Sequence, residues 1–285
     1  MTAMSLRPTE SAPWWHDAFA ACVSAFSSDA PQELDRAATL LSAHRSEFVS
    51  QPPDVEKAID ALDALGDRCD APTFEAWHRL LWVEVGLSGN GIDYHDVRNS
   101  FLPDVLERRI GIPISLSVIA IEVGRRLGLP VFGVGVPGHF LVGFGPTPHG
   151  ASGEAIRYVD PFNGGSVLNA DGARQRFDTM FGPGHIFLSE YLQPVGASGI
   201  LVRMCANLKQ NYARERDIAG LRDIMRLRTC LPDVSITEGR ELVRLLHASG
   251  SPTDALQVCD QIEAQHPSAK NLIDHERDRV IAQFN

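Results

Sequence analysis

The sequence predicts an α+β protein, and three observations lead there. Residues 111–128 are an apolar run with Pro113 near its start and Gly128 and Pro130 at its end, the punctuation of a helix. Directly afterwards the apolar period switches to two, as strands require. On either side of this central part, apolar residues recur at spacings of three and four, as on amphipathic helices. One buried helix followed by an antiparallel meander, flanked by helices, is an α+β arrangement.

In chain order, a first helix begins near Pro13 and carries Trp14, Phe19, Val23 and Phe26. A second follows Pro31, with Leu34, Ala38, Leu41 and Phe48 inward. A third follows Pro53 (Val55, Ile59, Leu62, Leu65) and a fourth Pro72 (Phe74, Trp77, Leu81, Val85). Proline suits a first helical turn, where its missing N–H has no acceptor to lose. Residues 86–91 interrupt the pattern. Residues 98–109 predict a short helix with Asn99 or Ser100 as N-cap, Leu102, Val105 and Leu106 inward and Gly111 as its stop. In 113–127, Ile114, Leu116, Val118, Ile119, Ile121 and Val123 cover nearly every side, which marks a helix buried at the centre of a domain. Glu122 is the charge inside it, and Arg125 and Arg126 stand three and four residues on, where an intrahelical ion pair forms.

Val131, Gly133 and Gly135 then alternate with Phe132, Val134 and Val136 in a first strand. Pro137-Gly138 turns the chain, 139–144 form a second strand, a Gly/Pro/Ser-rich loop spans 145–153, and 156–160 form a third strand stopped by Pro161. From Ile200 the chain is helical again. Pro232 and Pro267 lie 35 residues apart, and Gly220 and Ala255 each precede one of them by twelve. That period is similar to tetratricopeptide repeats, helix hairpins of about 34 residues, with a generic helical bundle as the plainer alternative. The expected organisation is a helical part over 1–88, an α+β core over 89–192 and a tetratricopeptide-like helical part over 193–285.

Composition narrows the function classes. A formal net charge of −10 lacks the basic footprint of a general nucleic-acid binder. The start of the chain has no basic segment leading into an apolar core, so no signal peptide is read, and 112–123 is too short to span a bilayer. No nucleic acid, no membrane and a cytoplasmic location are therefore expected. The five cysteines, Cys22, Cys69, Cys205, Cys230 and Cys259, are scattered and form no C-x-x-C pair. Reduced, structural thiols are expected, with no disulfide framework and no zinc. Asp93-Tyr94-His95-Asp96 is read as a solvated loop, since no second cluster completes a metal shell.

Three segments together resemble a known family. They are Arg98-Asn99-Ser100 through Gly111-Ile112-Pro113-Ile114-Ser115-Leu116-Ser117, then Pro137-Gly138-His139-Phe140, then Asp160-Pro161-Phe162-Asn163-Gly164-Gly165. The chain resembles the transglutaminase-like superfamily, in particular bacterial members whose core is followed by tetratricopeptide-like repeats. That superfamily shares its core with papain-type proteases. A Cys begins a buried helix, a His begins a strand and an Asp lies on the next strand. The helix N-terminus lowers the thiol's pKa, the His completes the ion pair and the acid fixes the His tautomer. Carried over, the resemblance implies a helix from Pro113, His139 and Asp160, with Arg98, Asn99, Pro113, Ser117 and Asn163 around the cleft. At the nucleophile this chain departs from the pattern: Gly111-Ile112-Pro113 replaces Gly-x-Cys, and no cysteine lies between Cys69 and Cys205. The hydroxyls of Ser115 and Ser117 are the nearest candidates, Ser115 the more specific because it lies in the first turn, although a buried helical serine commonly just bonds a backbone carbonyl.

Two functions follow. The first is a non-catalytic, regulatory protein that binds a peptide or protein and needs no metal or cofactor. The second is a hydrolase or acyl-transfer enzyme using Ser115, or a water activated by His139 and Asp160. Substrate and oligomeric state are not legible. One geometric expectation is sharp: strands 139–144 and 156–160 pair so that residue numbers sum to 299, or with a bulged equivalent. His139 and Asp160 then share the sheet face that meets the Pro113 helix.

Overall fold

The computed structural model describes residues 13–24, 26, 33–45, 54–146, 156–182 and 184–282. The expected contribution of Phe48 and most of the 145–153 loop lie outside them. Among the described residues, four helices come first: α1 (Trp14–Ser24), α2 (Leu34–Leu40), α3 (Val55–Asp67) and α4 (Phe74–His78). α4 runs on as a π-helical turn over Arg79–Glu84. Asp54 and Thr73 cap α3 and α4 by accepting backbone N–H bonds from Lys57 and Ala76.

The next segment differs from its sequence reading. Residues Val97–Ser100 form a 3-10 turn, and α5 (Leu102–Arg108) starts after it with Phe101 at the N-cap and Pro103 in its first turn. Asn99 and Ser100 therefore do not cap it. Arg109 ends the helix in the left-handed conformation, with φ of 60°. Gly111, the expected stop, lies instead in β2 (Ile110–Gly111), which pairs in parallel with β1 (Ser88–Gly89). Packing dictates glycine at position 111: a Cβ there would lie 2.8 Å from Ser115 Oγ and 3.0 Å from Val105 Cγ1.

Helix α6 (Pro113–Arg126) is the buried central helix that its apolar surface predicts. Glu122 pairs with Arg125 and with Arg126, each through a 2.9 Å hydrogen bond. Arg126 also donates to Asp35 of α2 at 2.7 Å, so the expected intrahelical pair extends into a network joining α2 and α6.

Five strands follow: β3 (Val131–Val134), β4 (Leu141–Phe144), β5 (Arg157–Asp160), β6 (Ser166–Leu168) and, after α7 (Ala170–Phe181), β7 (Pro194–Val195). Their order is β6-β5-β4-β3-β7, and every neighbouring pair is antiparallel. Side chains alternate between the two faces. Val142 and Val159, directly opposite each other, join the main core with α6, while Leu141 and Tyr158 join a second cluster with Ala173 and Phe177 of α7.

Five helices close the chain: α8 (Ala197–Glu215), α9 (Ile218–Thr229), α10 (Ile236–Ala248), α11 (Pro252–Gln265) and α12 (Lys270–Ile281). Consecutive members pack together, and α8 also packs on α2 and α6. One continuous apolar core therefore includes Trp15 and Leu41 near the start, Ile119 in α6, and Leu242, Ile273 and Val280 near the end. Among the described residues, no helix is long and apolar enough to cross a membrane.

Candidate functional site

A Pro-Gly turn delivers His139. The His139 N–H donates to Val136 O at 3.0 Å, and Gly138 has φ of 68°, the third-position geometry of a type II turn. That positive φ is what disfavours a side chain at Gly138, whose Cβ would also lie 2.6 Å from Met180 Sδ and push it aside. Arg203 of α8 staples the same turn. One of its nitrogens, Nη2, donates to Val136 O at 2.8 Å and to His139 O at 3.1 Å, and its guanidinium carbon lies 5.2 Å from the centre of the Phe140 ring.

His139 and Asp160 meet. His139 Nε2 lies 2.9 Å from Asp160 Oδ1, with Asp160 fully buried. The ring N–H points off that line, so this is an ion-pair distance rather than a well-aligned hydrogen bond. The carboxylate also accepts from Asn163, through its backbone N–H at 3.2 Å and its side-chain amide at 2.8 Å, and faces Arg176 at 3.5 Å. Burial by itself raises the Asp160 pKa, but His139, Asn163 and Arg176 outweigh it and hold the acid below its ordinary value.

The expected register is corrected. β4 and β5 pair with numbers summing to 301, as in Phe144 opposite Arg157, and His139 precedes the strand instead of starting it. Leu141, not His139, extrapolates to the position opposite Asp160. A shift of two preserves the face where a shift of one inverts it, which is why the pair still meets. The shared face also differs. Asp160 alternates with Val159 and points with Tyr158 toward α7, where Arg176 reaches it.

His139 nonetheless borders a cavity of about 490 Å³ together with Pro113 and Ile114 at the start of α6. Of the other residues expected at the cleft, none lines this cavity. Ser115 is fully buried and faces away from its predicted role: its hydroxyl donates to Asn99 O at 2.6 Å and accepts the Ile112 N–H at 3.2 Å. A hydroxyl held in this way has no geometry for attack from the cavity. Ser117 Oγ bonds back to Pro113 O at 2.8 Å, Arg98 is exposed and pairs with Asp96, and Asn163 serves Asp160. Asn99 is buried, and its amide donates to the carbonyls of Asp93 and Tyr94, fixing the loop that carries His95 to the cavity edge.

The opposite wall was missed. It is α8, through Arg203, Asn207, Gln210 and Arg214. These stand at i, i+4, i+7 and i+11, one polar stripe along a helix whose other side carries Leu201, Cys205 and Leu208 into the core. That stripe was readable, but nothing local says that it faces His139. Among the described residues no group of His, Cys, Asp and Glu is arranged to hold a metal ion.

A central helix whose N-terminus shares a cavity with His139, itself paired with Asp160 of an antiparallel sheet, is the architecture of a transglutaminase-like core. The chain belongs to the transglutaminase-like superfamily, whose family model matches residues 29–206. A UPF0162 protein of Xylella fastidiosa strain 9a5c is 39% identical over 198 residues, covering 67% of this chain and 68% of its own. F-box only protein 21 of Mus musculus is 32% identical over 143 residues, 50% of this chain and 22% of its own. Among solved structures, menin, described with its binding site for the Mixed Lineage Leukemia protein, aligns at a TM-score of 0.42 and 11% identity over 93% of this chain and 68% of its own. So loose an alignment transfers nothing to this chain.

Proposed function

We propose that this chain is a non-catalytic, regulatory member of its superfamily that holds a peptide or protein segment in the cavity between α6 and α8. The observation that carries the reading is that Pro113 and His139 line one cavity, while Ser115, the hydroxyl in the first turn of α6, is turned away and bonded to Asn99. Covalent acyl transfer needs a nucleophile within reach of its base, and here the base faces a ring of methylenes. What remains is a concave, partly apolar site with convergent polar groups, of the size that takes a small ligand or a short chain segment. The helices from α8 onward, in the tetratricopeptide-like reading, extend one wall and give a partner a second surface. The three-part organisation at 1–88, 89–192 and 193–285 fits this division of labour, and the role requires no cofactor.

A second reading is hydrolysis by a water held at His139, favoured by Asp160 Oδ1 lying 2.9 Å from Nε2, with Nδ1 then the base. A panel of fluorogenic esters and amides, together with an active-site serine probe, separates the two. Equal turnover by the native protein and a His139→Ala variant, and no labelling beyond that of Ser115→Ala, is the expected result. Hydrolysis that disappears with His139 would replace binding by catalysis.

A further inference from the structure

We infer that the cavity beside His139 is a carboxylate site, taking a peptide through an acidic side chain or through its chain terminus. This rests on the peptide-binding reading and narrows it. The chain as a whole has 36 acidic residues against 26 Lys and Arg, yet no Asp or Glu is among the described residues that line this cavity. The lining holds two guanidiniums, Arg203 and Arg214, two imidazoles, His95 and His139, and three side-chain amides from α8. In an acidic protein such a concentration of donors without an acceptor of full charge is a local inversion, and it creates a field that selects anions.

Arg203 makes the case specific. It is partly buried and carries no carboxylate partner among the described residues; carbonyls and the Phe140 ring are what hold it. A cation withdrawn from water without a counter-charge is unfavourable, and an entering carboxylate supplies one. Arg214 is exposed at the rim, donating to His95 O at 3.3 Å and facing Glu215 at 3.3 Å, so it remains available to a stronger partner. Across from them is the start of the fourteen-residue α6: Pro113 has no N–H and the Leu116 N–H donates to Ile112 O at 3.1 Å, which leaves the N–H groups of Ile114 and Ser115 without an intrahelical acceptor, and the helix dipole there favours an anion. Asp160, the acid behind His139, is already engaged by His139, Asn163 and Arg176. Ile112, Pro113 and Phe140 border the same space, which suits a carboxylate on a hydrocarbon stem.

The test begins with a small probe. Glutarate should shift the His95 and His139 ring signals in NMR saturably, while the matched neutral diamide, glutaramide, should not. An Ala206→Glu variant puts a carboxylate on the exposed cavity side of α8 without touching the core, and it should abolish the effect. Arg214→Gln should weaken it about three-fold or more, in line with the loss of a rim charge, and thermal denaturation checks that both variants fold. Two hexapeptides on one apolar frame, both amidated, then carry central glutamate or glutamine, and a third carries glutamine with a free terminal carboxylate. The glutamate and free-terminus peptides should bind about ten-fold tighter than the neutral one, as charge-assisted bonds imply. Equal binding of all three, blocked by Ala206→Glu, would overturn the carboxylate assignment and leave the peptide reading standing. Glutarate shifts without peptide binding would do the reverse. Shifts with inorganic phosphate and none with glutarate, or none with any probe, would also overturn the assignment.

Discussion

The two walls of the cavity are built in opposite ways. One comes from the motif segments, around Gly111-Ile112-Pro113 and Pro137-Gly138-His139, and it is locked. Asp160, Ser115 and Asn99 behind it are buried, and each spends its polar groups on a neighbour. The other wall is the face of α8, where Ala206, Gln210 and Arg214 are exposed on a helix already anchored from its far side. Residues in the first wall are fixed by the fold, because changing one strands another's hydrogen bond. In the second, Arg203 is tied to the Val136 and His139 carbonyls, but Ala206, Gln210 and Arg214 are exposed and less constrained. The family motifs therefore lie in the first wall, and in the proposed binding role the second wall is the one that sets specificity.

Breaking the locked wall should cost the most. Asp160→Ala leaves His139 and Asn163 without their acid at a buried position, and about 3 kcal/mol of stability should be lost, read from urea denaturation. A loss near zero would mean that this wall is not structural and would remove the contrast.

Acid should attack the same point. The Asp160 pKa is held below its ordinary 3.8, so its contribution is complete above that value and disappears as pH falls through it toward the folded value. Glu276, buried among Arg240 and Arg244 in the C-terminal helices, has its pKa lowered by those bonds from 4.5 to about 2. Its share is lost over that same interval as pH falls. Stability measured between pH 5 and 2 should drop in the native protein, and Glu276→Gln should flatten the part due to the helices while leaving the Asp160 part. An unchanged slope in that variant would assign the whole acid response elsewhere.

Ser115→Ala should cost about 0.5–1.5 kcal/mol, because the Asn99 carbonyl and Ile112 N–H each lose a buried bond to Ser115 while keeping the 3.3 Å bond to each other. On the facing wall, Gln210→Ala should stay within about 0.5 kcal/mol of the native protein while changing which peptide is preferred. If Gln210→Ala proved the more destabilising of the two, the walls would have to be exchanged.

The smallest effect is expected from the thiols. Burial pushes Cys205 and Cys230 up to about 12 and Cys22 and Cys259 to about 11, so little thiolate is present at neutral pH. Iodoacetamide should label these four only after denaturation and leave cavity binding unchanged. Loss of binding on alkylation of the folded protein would contradict a thiol-free site.

The sequence by itself determined what depends on near neighbours. Pro13, Pro53 and Pro72 placed helix starts, the all-round apolar surface of residues 113–123 made α6 a buried helix, and Pro137-Gly138 made a type II turn before His139. The alternation of 131–136 made a strand. Each of these rests on a period or on a backbone preference that a few consecutive residues express. Other features needed the folded chain. The left-handed stop at Arg109 and the 3-10 turn that displaced the expected cap answer to the packing of Gly111 against Ser115 and Val105. The register sum of 301 answers to where β4 begins, after the turn has carried His139 clear of the ladder. Strands β6 and β7 and helix α7 carried no signal strong enough to be read. Ser115 illustrates the limit best: its place in the first turn of α6 was legible, but the direction of its hydroxyl was decided by the carbonyl of Asn99, sixteen residues away. The α8 wall is the same case on a longer scale, since a polar stripe on a helix states which side faces outward and only tertiary packing decides what that side faces.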